Sequence, residues 1–269
     1  MTTVRKPAVA GTFYPADVRE LHKLIIAYLA AAAAEGPVPK AIIAPHAGYI
    51  YSGPVAASAY AHLAKARGAV SRVVLLGPAH WVAFSGLAAS SAEAFVSPLG
   101  AVPVDRHAVQ QALGLPHVCL LDKAHAREHS LEVQLPFLQE VLGDFSLVPL
   151  VVGEAAPEEV ADVLDLLWGG PETAIVISSD LSHYYDYETA RRLDQLTSRA
   201  IEQLRWQDIR TEQACGYYPV RGFLYAAQKH HLSAKTVDVR NSGDTAGPRD
   251  EVVGYGAYVF TDRTPALRA

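Results

Sequence analysis

The sequence contains little cysteine, methionine or charge. Of its 269 residues, only Cys119 and Cys215 are cysteines, one is methionine and 19% are charged. Two thiols cannot form the dense disulfide framework of a small secreted domain, so each is first interpreted as a free thiol. Half of the residues are hydrophobic, which excludes a disordered chain and allows one large core. We therefore expect a single domain over residues 1–269, with two smaller domains as the alternative.

The sequence also lacks the features of proteins that bind nucleic acid or span a membrane. Its formal net charge is -5, from 28 acidic and 23 basic side chains without a dense basic block, so no nucleic-acid partner is expected. No segment approaches the roughly 20 apolar residues of a membrane span. Residues 1–14 include Arg5 and Lys6 but no apolar run of signal-peptide length. These observations predict a cytoplasmic protein with no membrane partner.

The pattern of apolar residues predicts an α/β fold. Helical periodicity predicts helices over 17–34, 54–65, 131–142, 157–168, 188–204 and 220–228. Short aliphatic runs predict strands over 41–44, 72–76, 147–152, 174–178, 237–239 and 252–260. Because crossovers between parallel strands usually contain a helix, this alternation predicts a central, mainly parallel or mixed sheet flanked by helices.

Three local features refine this expectation. Pro54 is expected to begin the helix over 54–65, since proline suits the first turn of a helix. The alternating glycines of the strand over 252–260 indicate close packing or a sheet edge. The tail over 262–269 is expected to be loose.

Three predicted strands each end in a short polar segment that contains a histidine. His46, His80 and His183 follow the strands over 41–44, 72–76 and 174–178 respectively. The carboxyl ends of parallel strands meet at one edge of a sheet, where α/β proteins gather their ligands, so these histidines should line one crevice. The alternative is that each is an ordinary polar residue at a strand end. We interpret a further set of histidines as structural or solvated: His22, His62, His107, His117, His125, His230 and His231.

Cys215 is the thiol that we expect to have a function. It precedes the predicted helix over 220–228, and a helix N-terminus favours the thiolate, so its reactivity could be raised. The alternative is a small buried hydrophobic residue, an interpretation that suits Cys119 better. Imidazole and thiolate ligands together suit a first-row transition metal rather than magnesium or calcium.

Two other polar positions are candidates for the same pocket. Asp180, three residues before His183, can orient an imidazole through its second nitrogen, or can simply form a turn at the strand end. His129, next to Glu128 at the start of a predicted helix, is either a pocket base or an ion-paired surface residue. Ser130 is expected to cap that helix.

Several separate motifs occur along the chain in a specific order. They are Val4 to Pro15, Pro45-His46-Ala47-Gly48-Tyr49, Gly77-Pro78-Ala79-His80, Glu128-His129-Ser130-Leu131-Glu132, Ser178-Ser179-Asp180-Leu181-Ser182-His183 and Ala214-Cys215-Gly216. Together they resemble the Memo family, also called AmmeMemoRadiSam system protein B, over residues 4–260. Their number and order make the resemblance far more specific than any one short pattern.

The resemblance implies a fold similar to the class III extradiol, or LigB-type, dioxygenases, with a site at the edge of a central sheet. It implies a metal set of His46, His80 and Cys215. The resemblance also implies catalytic roles for Asp180, His183 and His129, which lie beside this set, and for Cys215, which belongs to it. The dioxygenases use a glutamate where this chain has Cys215, a departure that argues against extradiol cleavage. The implied metal is iron or copper, with zinc as an alternative, and the implied partners are an AmmeR1-like protein and a radical SAM protein.

Three functions use the same residues. The first is a redox-active metalloprotein, an oxidoreductase with a dioxygenase-like site in which His183 moves protons. The second is a metal-free cysteine hydrolase with Cys215 as nucleophile, His46 or His183 as base and Asp180 as orienting group. The third is a non-catalytic signalling-type protein that binds a peptide, an anionic group or another small molecule in the same pocket.

Overall fold

The chain folds around a nine-stranded sheet, with a separate three-stranded sheet formed by β1, β5 and β6. The computed structural model describes residues 3–263. Its strands are β1 Val4–Arg5, β2 Ala41–Ala44, β3 Arg72–Pro78, β4 Leu87–Ala89, β5 Ala94–Ser97, β6 Gly100–Pro103, β7 Val118–Leu120, β8 Ser146–Val152, β9 Thr173–Ser178, β10 His183–Tyr185, β11 Leu232–Asn241 and β12 Val252–Asp262.

The centre of the large sheet is parallel. Strands β2, β9, β3 and β8 lie side by side in that order, and each adjacent pair is parallel. Their aliphatic side chains are buried, as expected for parallel strands covered on both faces. Outside this core, β12 pairs antiparallel with β2, and β4 pairs antiparallel with β8. The prediction of an α/β fold with a mainly parallel or mixed sheet is therefore confirmed, and within residues 3–263 the sheet does not close into a barrel.

Helices pack against this sheet and against one another. They are α1 Val18–Ala31, α2 Tyr49–Leu63, α3 Arg106–Ala112, α4 Asp122–Ala126, α5 Gln134–Leu142, α6 Pro157–Leu167, α7 Tyr187–Glu202, α8 Tyr217–Lys229 and α9 Ser242–Thr245. The contact between α6 and α8 is close because Gly222 has no side chain: a Cβ there would lie 2.2 Å from the Cβ of Val160. Across the described part of the chain, no helix combines the length and apolar character that a membrane crossing needs.

Three helices begin three or more residues away from their predicted starts, and α8 is one of them, since it begins at Tyr217 rather than at residue 220. Helix α2 begins at Tyr49 and contains Pro54 in its interior, because contacts distant in sequence fix its first turn. The Tyr49 N–H donates to the Phe13 carbonyl at 2.7 Å, and the Tyr49 hydroxyl donates to the Val133 carbonyl at 2.7 Å. Helix α5 begins only at Gln134. Ser130 does not cap it, because the Ser130 hydroxyl donates to the Pro78 carbonyl at 3.0 Å.

Two other expectations are corrected by the sheet. Strand β12 is an interior strand, bonded to β2, β10 and β11, so its glycines do not mark an edge. They do mark close packing, since a Cβ at Gly254 would lie 2.0 Å from Oδ2 of Asp194. Cys119 is exposed rather than buried, because β7 is the last strand at one end of the sheet. Residues 264–269 of the tail expected to be loose lie outside the described residues.

Candidate metal centre

The carboxyl ends of three neighbouring strands bring the candidate residues together. The register pairs Ala44 at the end of β2 with Ser178 at the end of β9, and β3 lies beside β9. His46 and His80 follow β2 and β3, and their ring centroids are 5.2 Å apart. One ligand atom from each of His46, His80 and Cys215 lies within 4.8 Å of the other two. This spacing can accommodate a metal ion.

The hydrogen bonds of His46 fix which ring nitrogen carries its proton. Nδ1 lies 2.8 Å from the Ser178 hydroxyl oxygen. That hydroxyl donates its only proton to the Ser130 carbonyl at 2.6 Å and accepts from Nε2 of Gln134 at 2.7 Å. His46 Nδ1 must therefore be the donor in its own contact, which leaves a lone pair on Nε2. Nε2 lies 3.2 Å from Sγ of Cys215.

Glu128 fixes His80 in the same way. The carboxylate accepts from Nδ1 of His80 at 2.8 Å, from the His80 N–H at 2.6 Å and from the Ser130 N–H at 2.9 Å. Burial alone would raise the pKa of Glu128, but these hydrogen bonds lower it to about 2. Glu128 is thus an ionised acceptor. Nδ1 of His80 donates to it, which leaves Nε2 as the ring nitrogen that could bind a metal.

Histidine must be neutral to bind a metal, and the surroundings of His46 and His129 favour that form. Burial, followed by the neighbouring His80, His129 and His183, holds the pKa of His46 well below its usual range. Burial and His80 likewise lower the pKa of His129 to about 4. The His129 ring stacks on His80 with centroids 4.6 Å apart, and Nδ1 of His129 lies 3.7 Å from Glu128. His129 is therefore a partly buried neighbour of the histidine pair.

Asp180 and His183 lie next to Cys215. The Asp180 N–H donates to Sγ of Cys215 at 3.3 Å, and Oδ1 of Asp180 accepts from the His46 N–H at 2.7 Å. Nδ1 of His183 lies 2.9 Å from the Leu181 carbonyl, so Nδ1 donates and the lone pair is again on Nε2. Asp180, His183 and Cys215 each offer a ligand atom within 4.8 Å of the other two.

The environment of Cys215 corrects the expectation that its reactivity is raised. The residue directly precedes Gly216, the N-cap of α8, as the sequence predicted. However, burial and then the negative charge of Asp180 raise the pKa of the Cys215 thiol well above its usual range. Hydrogen bonds from the Asp180 and Gly216 N–H groups lower this pKa but do not outweigh these two effects. Without a cation nearby, Cys215 is therefore a protonated thiol at neutral pH.

A cavity of about 490 Å³ reaches this thiol. Cys215 borders it, as do Pro78 and Ala79 just before His80. The other lining residues are mainly apolar, with one carboxylate and one phenol: Val82, Ala83, Phe84, Ser85, Val152, Gly153, Glu154 and Tyr218. A small molecule in this cavity would contact the edge of the candidate metal centre.

Sequence reasoning missed the residues that orient the histidines. Glu128 was noticed only as a neighbour of His129, although it bonds His80. Ser178 was interpreted only as the end of a strand, and Gln134 only as part of a helix. The signal in the sequence is their position beside the histidine motifs. Their contacts depend on the fold, because 48 residues separate Glu128 from His80, 132 separate Ser178 from His46, and 44 separate Gln134 from Ser178.

The fold and the site define an α/β protein with His/Cys/Asp groups that could bind a metal at the edge of a mixed sheet. A family model described as "Memo-like protein" matches residues 5–259, and the chain belongs to this family. A MEMO1 family protein of Aquifex aeolicus is 38% identical over 96% of this chain and 99% of its own length. Another from Metallosphaera sedula is 34% identical over 96% of this chain and 99% of its own length.

A solved structure has a similar fold. The crystal structure of an uncharacterized protein from Escherichia coli K12 superposes with a TM-score of 0.51, covering 81% of this chain and 98% of that one. The two sequences are 14% identical, so the likeness concerns the fold alone.

Replacing Glu128 with glutamine is expected to weaken metal binding about ten- to a hundredfold, the usual range for a residue that orients a metal-binding histidine. The N–H and Nδ1 of His80 donate to different oxygens of Glu128, and glutamine replaces one of these oxygens with an NH2 group that cannot accept. Titration of metal-free protein with Co(II) measures the effect. Glu140→Gln is the matched control, because Glu140 accepts from Nδ1 of His22 at 2.7 Å away from the site. Equal affinity in the two variants would show that Glu128 does not orient His80 for a metal.

Proposed function

We propose that this chain is a redox-active metalloprotein that holds iron or copper on His46, His80 and Cys215. The observation that carries the proposal is the convergence of one ring nitrogen each from His46 and His80 with the sulfur of Cys215 within 4.8 Å, while Nδ1 of both imidazoles donates a hydrogen bond. Two nitrogens and a thiolate favour a late first-row metal. An iron or copper ion held there would supply electron transfer or oxygen activation.

The surrounding residues support a catalytic use of this centre. Nε2 of His183 carries a lone pair and can take up a proton from a substrate, since Nδ1 already donates to Leu181. The partly buried His129 can act as a second base close to His80. The apolar part of the cavity beside Cys215 suits a small-molecule substrate. We therefore propose an oxidoreductase acting on a small molecule.

The other two functions have weaker support. A metal-free cysteine hydrolase needs a thiolate, whereas burial and Asp180 raise the pKa of Cys215. An anion-binding pocket is disfavoured because Glu154 is the charged residue that lines the cavity.

Metal analysis of protein purified without a chelating tag and without added metal tests the proposal. We expect near-stoichiometric iron or copper in the wild type, and its loss in His46→Ala and Cys215→Ser because each change removes a ligand. His107→Ala, which changes an exposed histidine on α3, is the matched control and should retain the metal. Unchanged metal content in His46→Ala would refute this site. If the metal is present and lost as expected, oxygen consumption is the next assay.

A further inference from the structure

The cavity beside Cys215 carries a carboxylate that no cation neutralises. The side chains of Glu154 and Tyr218 border this cavity of about 490 Å³ together with mainly apolar residues. Among residues 3–263, no lysine or arginine borders it. Glu154 takes part in none of the ion pairs found in this part of the chain. The charge that the protein presents to the cavity is therefore negative.

The backbone fixes Glu154 in the wall of the cavity. The Glu154 N–H donates to the Phe84 carbonyl at 2.9 Å, and the Glu154 carbonyl accepts from the Gly86 N–H at 2.7 Å. Gly153 allows the two segments to approach, because a Cβ there would lie 2.2 Å from the Phe84 carbonyl oxygen. The wall that carries the carboxylate is therefore part of the folded framework, as is usual for a ligand pocket.

Tyr218 lies close enough to Glu154 to respond to its charge. Burial, followed by the charge of Glu154, raises the pKa of Tyr218, so the phenol keeps its proton at neutral pH. The ring of Tyr218 packs edge to face against Tyr217, with centroids 5.0 Å apart. Arg221, the cation on the same helix, instead donates to the Tyr217 hydroxyl and to the Trp206 carbonyl. The carboxylate and a neutral phenol thus remain the polar groups at this end of the cavity.

The carboxylate lies at the same edge of the sheet as the candidate metal centre. Strands β3 and β8 are parallel, and their register pairs Pro78 with Val152. His80 follows Pro78 by two residues, and Glu154 follows Val152 by two residues. Both segments therefore leave the carboxyl ends of neighbouring strands. Because the cavity borders both Glu154 and Cys215, one small molecule can contact the carboxylate and the edge of the metal centre together.

We propose that the substrate of this site is a cationic amine with an apolar body, and that its ammonium group pairs with Glu154. This inference rests on the proposed function and names the substrate class of the same site. The ammonium group donates to the carboxylate and to the Tyr218 hydroxyl, as charge-assisted hydrogen bonds allow. The apolar body packs against Val82, Phe84 and Val152. The end of the molecule remote from the nitrogen then faces the metal centre.

Two probe molecules of the same shape test the charge preference. Phenethylamine is a cation at neutral pH, and 2-phenylethanol carries a neutral hydroxyl in place of the ammonium group. NMR titration at low ionic strength gives the dissociation constant of each. We expect the wild type to bind phenethylamine about three- to tenfold more tightly, between the values for exposed ion pairs and for hydrogen bonds to charged groups. Glu154→Gln should bind the two probes equally.

Glu158→Gln is the matched control, because Glu158 is exposed in the first turn of α6 and does not border the cavity. It should keep the preference for phenethylamine. Equal affinity of the wild type for the two probes overturns the amine substrate, and so does a preference that Glu154→Gln retains. Iron and copper are measured in the same samples, and neither variant should lose metal. Wild-type protein without metal refutes the proposed function, whereas metal-containing protein without the amine preference refutes the substrate class alone.

Discussion

Replacing Glu132 with alanine should lower the free energy of unfolding by about 3–5 kcal/mol, the range for breaking a buried ion pair. Glu132 is fully buried and pairs with the guanidinium of Arg5. It also accepts from the N–H groups of Ala8 at 2.7 Å and Val9 at 2.9 Å, and from the Tyr14 hydroxyl at 2.6 Å. Alanine would leave a buried cation and three donors without their acceptor. This single carboxylate therefore attaches the N-terminal segment to the domain.

Urea unfolding at neutral pH measures this loss. The matched control is Glu188→Ala, because Glu188 is 72% exposed and pairs with Arg191 at 3.4 Å on the surface of α7. The control should change the free energy of unfolding by no more than about 0.5 kcal/mol. If the free energy of unfolding falls equally little in both variants, the Arg5–Glu132 contact does not stabilise the fold.

Raising the pH from 4 to 8 should lower the free energy of unfolding of the wild type by about 2 kcal/mol more than that of the Asp194→Asn variant. Burial raises the pKa of Asp194 to about 6, although the Ser182 N–H donates to its Oδ1 at 3.0 Å. The ordinary value for an aspartate in an unfolded chain is about 3.9. Between these two values the folded state binds a proton that the unfolded state has released. Stability from this group is therefore present below about pH 4 and is lost as the pH rises through about 6.

Free energies of unfolding at pH 4 and pH 8 test this expectation. Asparagine retains an oxygen for the Ser182 N–H but does not titrate, so Asp194→Asn removes the pH-dependent contribution. Asp208→Asn is the control because that carboxylate is exposed and pairs with Arg205 at 3.2 Å. Between pH 4 and pH 8, the free energy of unfolding of this control should change as much as that of the wild type. A wild type and an Asp194→Asn variant that lose the same stability between the two pH values would contradict the prediction.

The sequence predicts the central strands well because their signal is local. β2, β3 and β9 are short aliphatic runs buried on both faces, and the parallel arrangement then brings the segments of His46, His80 and His183 to one edge. The convergence of these segments thus follows from a general property of parallel sheets.

Features that depend on distant contacts were less predictable. The start of α2 is fixed by Phe13 and Val133, which lie far from Tyr49 in sequence. The exposure of Cys119 depends on the position of β7 at the end of the sheet. The pKa of Cys215 depends on its burial and on the charge of Asp180, neither of which the residues next to Cys215 in the sequence reveal.

The fixed protons on His46, His80 and His183 have a further consequence. Ser178, Glu128 and the Leu181 carbonyl orient these rings within the folded chain, before any ligand arrives. The rotamer entropy of the rings is thus lost during folding rather than during ion binding, as in a preorganised receptor. If it binds an ion, such a preorganised receptor would discriminate by coordination geometry, because each rearrangement of a ring would break its orienting hydrogen bond.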